Sequence, residues 1–114
     1  MNNPDDILLK VATILGWKDI SMLKSVNHYF GAKDDDTRHY GLPNYTTSID
    51  VIWAVYEEFG LYPSINRTTY DGKKYCHVSA FPHHSNSARI CSATDANLAM
   101  ALCKLLIIIS EEIE

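Results

Sequence analysis

The stretch "TTYDGKKYCHV", residues 68–78, constrains this chain more than any other. Asp71-Gly72 is a favoured pair for a two-residue type I′ hairpin turn, where both central residues take positive φ. Placing that turn fixes the strands on either side: Tyr70 opposes Lys73, Arg67 opposes Cys76 and Ile65 opposes Val78. Side chains alternate across a strand, so Ile65, Cys76, Val78 and Ala80 fall on one face, the expected core face. The other face carries Asn66, Thr68, Tyr75, His77, Ser79 and Phe81, with Arg67 at its border. A third short strand, "ARICS" at 88–92, is expected to pair with 73–81.

Helical signals surround the hairpin. Asn3 as cap, Pro4 at the first helical position and Asp5-Asp6 in the first turn start a helix over 4–15. Its apolar face is Ile7, Val11, Ile14 and Leu15, and Gly16 ends it. In "TTSIDVIWAVYEEFG" the Thr47/Asp50 pair has capping-box spacing, and Ile49, Ile52, Trp53, Tyr56 and Phe59 recur at helical intervals. Gly60 closes that helix at C′. The last helix, capped by Thr94 or Asp95, is apolar nearly all round from Leu98 to Ile109 and should be the most buried element. Residues 20–45 show neither period and read as a long, functional or mobile loop, with Tyr29, Phe30, Tyr40 and Tyr45 able to pin it to the body. The expectation is a single α+β domain over 1–114, ordered helix–long loop–helix–β–β–β–helix around a three-stranded antiparallel sheet.

Composition narrows the function. The chain is 46% hydrophobic and 21% charged, an ordinary globular balance. Net charge is −4 and the ten Lys and Arg are scattered, which argues against duplex nucleic acid as a ligand. The three cysteines include no CxxC pair, so neither a zinc pattern nor a disulfide framework is expected. No signal peptide opens the chain, and the apolar run 98–109 contains Lys104 and is too short for a bilayer, so a reduced, cytoplasmic, non-membrane protein is expected.

"VATILGWK", "GLPNYTTSIDVIWAVYEEF" and "SATDANLAMALCKLLI", in that order, resemble landmarks of the phage ABA sandwich domain family of small phage and prophage proteins. The likeness spans most of the chain except residues 20–40. It implies helix–sheet–helix layering (an α/β/α sandwich), a phage or prophage origin and action in the cytoplasm of the bacterial host. No catalytic residues come with it.

The chemistry-bearing residues form no catalytic signature. His83 and His84 are adjacent on an extended segment, point to opposite sides and match no metal-ligand spacing; they read as a solvated loop, and no metal or cofactor is expected. Cys76 faces the core, Cys103 sits in the apolar helix, and Cys91 has only Arg89 as a cationic neighbour, so a reactive thiol is not expected. GxSxG, HExxH and glycine-rich phosphate loops are absent. The preferred reading is a non-enzymatic accessory protein that binds, and in one version inhibits, a bacterial host protein such as a defence component. Its expected partner-binding residues are Tyr29, Tyr40, Arg67, Tyr75 and His77. The competing structural reading buries Tyr75, His77 and Phe81 as a second core layer. A second function is a small-ligand binder that sequesters a nucleotide signal, using Arg38, Arg67, Lys73, Lys74 and Arg89 on phosphates. The third is a metal- or thiol-dependent enzyme. The oligomeric state stays open.

Overall fold

The computed structural model describes residues 4–33, 37–80 and 90–113. Helix α1 (Pro4–Ile14) leads into β1 (Trp17–Leu23), β2 (His28–Lys33) and β3 (Tyr40–Gly41). Then come α2 (Ile49–Glu58), β4 (Ser64–Tyr70), β5 (Lys73–Ala80), β6 (Cys91–Asp95) and α3 (Leu98–Ile113). The strands make two three-stranded antiparallel sheets, β1–β2–β3 and β4–β5–β6, so the α+β class is as expected.

The segment expected to be a long loop, residues 20–45, is instead largely the first sheet. Its two-residue periodicity is broken by a bulge between Lys18 and Ser21, where Asp19 takes φ 54°. The β1–β2 turn is a four-residue one over 24–27, closed by Asn27 at φ 51°, and carries no Asn-Gly or Asp-Gly signal. Gly31 lies under the bulge: a Cβ there would come within 3.0 Å of Ile20 Cγ1 and 3.1 Å of the Lys18 carbonyl oxygen.

The hairpin follows the expected register, with Tyr70↔Lys73, Arg67↔Cys76 and Ile65↔Val78, and Asp71 and Gly72 at φ 52° and 77°. Cys76, Val78 and Ala80 are buried, but Ile65 remains 39% exposed. Its strand is the sheet edge, and α3 packs on β5 and β6 without touching β4. The third strand pairs with β5 as expected but lies a few residues later, Ala80↔Cys91 through Cys76↔Asp95.

Helix α3 is the centre of the molecule, in contact with β5, β6, α1 and α2. Ala99, Ala101, Leu102, Cys103 and Leu105 are fully buried in it. Its cap is Asn97, whose Oδ1 accepts from the Met100 N–H at 3.2 Å, rather than Thr94 or Asp95. Asp95 serves one step earlier, accepting from the Asn97 N–H at 2.9 Å and from Lys104 Nζ at 2.7 Å.

Helix α2 is capped by Ser48 rather than Thr47. It buries Ile52, Val55 and Tyr56 but leaves Ile49 and its C-cap Phe59 about half exposed, because among the described elements α3 is the one helix it packs against. Gly60, at φ 70°, forms a Schellman end: its N–H donates to the Glu57 carbonyl and the Leu61 N–H to that of Tyr56. The packing order runs from the second sheet to α3, then to α1 and α2, with the first sheet attached through α1. Among the described elements no helix covers the opposite side of the second sheet.

Candidate functional site

The five expected site residues divide between the two sheets. Tyr29 lies on β2 and Tyr40 on β3, whereas Arg67 is on β4 and Tyr75 and His77 are on β5. No strand of one sheet contacts a strand of the other, so the five do not form one surface. Tyr29 opposes Met22 and is half-buried against the core. Tyr40 opposes Gly31, is 43% exposed, and carries the Arg38 guanidinium 5.8 Å from its ring centroid.

In the second sheet the register sorts side chains to two faces. The outer face carries Asn66 beside His77, Thr68 beside Tyr75, and Ser79 beside Ser92. His77 Nδ1 hydrogen-bonds with Thr94 Oγ1 at 2.8 Å across β5 and β6, which orients the ring along the sheet. Tyr75 and His77 are half-buried by their neighbours in the sheet. Phe81, expected on this face, lies outside the described residues.

Arg67 does not border that face; it opposes Cys76 and so belongs to the inner one. There it lines a depression of about 240 Å³ together with Thr69, Lys74, Cys76 and Ala96. This partly assembles the phosphate-contacting set expected for a nucleotide binder. Arg67 and Lys74 meet, Lys73 is on the outer face, Arg38 is in the first sheet, and Arg89 is outside the described residues. The depression was not legible in the sequence, because it depends on Ala96, which follows β6, approaching the hairpin.

Strand β4 is exposed at all seven of its positions, and among the described elements β5 is the one it contacts. In a two-residue hairpin the residues flanking the turn form a hydrogen-bonded pair, and such pairs alternate with non-hydrogen-bonded ones. Tyr70, Thr68, Asn66 and Ser64 therefore direct their main-chain groups to β5, while Thr69, Arg67 and Ile65 direct theirs outward along an edge that pairs with no other described strand.

The cysteines lack the setting of nucleophiles. Cys76, Cys91 and Cys103 are all free and buried. Burial pushes the Cys103 thiol up to about 12, and its Sγ donates to the Tyr45 carbonyl at 3.1 Å. Tyr45 in turn accepts from Trp17 Nε1 at 3.2 Å, a link between β1 and the segment before α2. Among the described residues, no group of three or more His, Cys, Asp or Glu side chains is placed to hold a metal ion; His83 and His84 lie outside them. No helix among the described residues is long and apolar enough to cross a membrane.

No protein-family model, no curated protein and no solved structure matches this chain. Its class is therefore defined by geometry alone: an α+β protein with an exposed β-hairpin edge and, among the described residues, no cluster of metal-ligating side chains.

Proposed function

We propose that the protein is a non-catalytic binding module that takes an extended segment of a partner protein along β4. The observation that carries this reading is the edge itself, seven residues long and exposed throughout. Edge strands are normally blunted by Pro, Lys, a bulge or a covering element, because they template pairing with other chains. β4 has neither Pro nor Lys, pairs with β5 without a break in register, and carries Arg67 as its one charge. Strand addition draws affinity from main-chain hydrogen bonds and selectivity from alternate side chains. Here those side chains include Tyr75 and His77 on the outer face, next to β4. That the partner is a bacterial protein, and that binding inhibits it, rests on the resemblance to phage proteins alone.

The test is affinity capture from bacterial lysate with the intact chain and with Ile65→Pro and Tyr75→Ala. Ile65 directs its N–H outward, so proline there removes an edge donor while sparing the β4–β5 ladder. A partner held by the native chain and lost by folded Ile65→Pro supports the reading. A partner kept by both variants but lost by Cys91→Ala would refute it in favour of a thiol site.

A further inference from the structure

We infer that the inner-face depression beside the hairpin is a binding site for a phosphate group. Its chemistry is set by Arg67 and Lys74, diagonal neighbours on one face because Arg67 opposes Cys76 and Lys74 opposes Thr69. Diagonal cross-strand neighbours have Cβ atoms within roughly 8 Å, so two cations there repel each other. Among the described residues neither side chain has a hydrogen-bond or ion-pair partner. The nearest carboxylate in the sheet, Asp95, also faces inward opposite Cys76, but it is occupied by Lys104 Nζ and the Asn97 N–H. A chain of net charge −4 thus keeps, among the described residues, two adjacent cations without a paired carboxylate around one concavity of about 240 Å³.

The donor set selects the ligand. Arg67 offers a planar fork suited to two oxygens of a tetrahedral oxyanion, and Lys74 a compact point charge. Thr69, on the same face beside Lys74, adds a hydroxyl donor. The α3 terminus is not needed, since Asn97 already caps it. A phosphate monoester or the terminal phosphate of a nucleotide fits this chemistry. The site goes beyond the strand-addition reading: Thr68 and Tyr75 also border it, but it draws on the side chains of Arg67, Thr69 and Lys74 rather than on the outward main-chain groups of β4, so either can fail without the other.

The experiment is an amide NMR titration of the full chain with inorganic phosphate, pyrophosphate and a nucleoside triphosphate at fixed ionic strength, with sulfate and an acidic peptide as comparators. The expected result is saturable shifts at residues 67–69, 74–76 and 96. Arg67→Gln or Lys74→Gln should weaken binding about ten-fold or more, the usual loss for a charge-assisted hydrogen bond. Both residues are exposed, so these variants should fold, and Ile65→Pro and His77→Ala, which lie outside the lining, should keep the affinity. Tighter binding of the nucleoside triphosphate than of pyrophosphate identifies a nucleotide as the source; equal binding identifies the free oxyanion. Shifts that grow linearly without saturation, survive Arg67→Gln with Lys74→Gln, or are matched by sulfate or the acidic peptide would overturn the assignment.

Discussion

Replacing Tyr56 with Phe removes one oxygen atom from the centre of the molecule. Tyr56 is fully buried on α2, and its hydroxyl donates to the Leu102 carbonyl of α3 at 2.6 Å, across 46 residues of chain. Burial holds the phenol pKa far above its ordinary value, so it is a neutral donor at any physiological pH. The ring remains in the variant, so no apolar contact is lost and the perturbation reduces to one hydrogen bond. Leu102 lies inside a helix, and its carbonyl still has the helical N–H four residues on as a partner. The variant therefore leaves no fully orphaned acceptor, and the loss should sit near the net value of a buried hydrogen bond, about 1 kcal/mol. For a chain of this size that is a fall of about 4 °C in Tm. Urea unfolding, followed by tryptophan fluorescence and circular dichroism, should show a lower midpoint at unchanged slope. Tyr70→Phe is the control, since Tyr70 is 76% exposed at the hairpin turn and should shift stability by less than ~0.5 kcal/mol. Equal effects of the two changes would refute the claim that the Tyr56–Leu102 bond ties α2 to α3.

The remaining predictions concern α3. Leu105→Ala, at a fully buried position, should cost ~2–5 kcal/mol by chemical denaturation, whereas Lys24→Ala in the exposed β1–β2 turn should cost under ~0.5 kcal/mol. Cys103 predicts alkaline weakness: its thiol ionises near 9.0 when unfolded but only at about 12 when folded, so its contribution to stability is complete below pH 9 and lost as pH rises towards 12. Over that window urea midpoints should fall with a proton slope worth roughly 1.4 kcal/mol per pH unit, and Cys103→Ala should remove that one-proton component; an unchanged slope would show that the thiol is not shielded.

How far the fold could be read from sequence depended on how local its signals were. Asp71-Gly72 fixed the hairpin register because a two-residue turn with positive φ at both positions leaves no freedom to slip. The Leu98–Ile109 run identified the central helix because an element apolar on every side must be buried on every side. The first sheet escaped because its information is tertiary. A bulge at 18–21 shifts the alternation, and a Cβ at Gly31 would crowd the Lys18 carbonyl and Ile20, a contact invisible along the chain. The inner-face placement of Arg67 divides in the same way. Its position opposite Cys76 was legible from the turn, but the concavity that gathers Arg67 and Lys74 exists only once Ala96 is folded against the hairpin.

Both proposed sites follow from one packing decision. Helix α3 covers β5 and β6 and stops short of β4, so two strands of the sheet supply the core and the third contributes little to it. The sequence of β4, "SINRTTY", is consistent with that role, since Ile65 is its single aliphatic residue and even that is 39% exposed. Ordering a residue costs ~1–2 kcal/mol of backbone entropy, and a strand that buries almost nothing recovers it mainly through its ladder with β5. Extending α3 contacts over β4 would require apolar residues at Arg67 and Thr69, the inner-face positions that instead line the depression with Lys74. The third strand, which no described element covers on that side, is thus the feature on which both proposals rest: an edge for strand addition, and two cations without a partner among the described residues for a phosphate group.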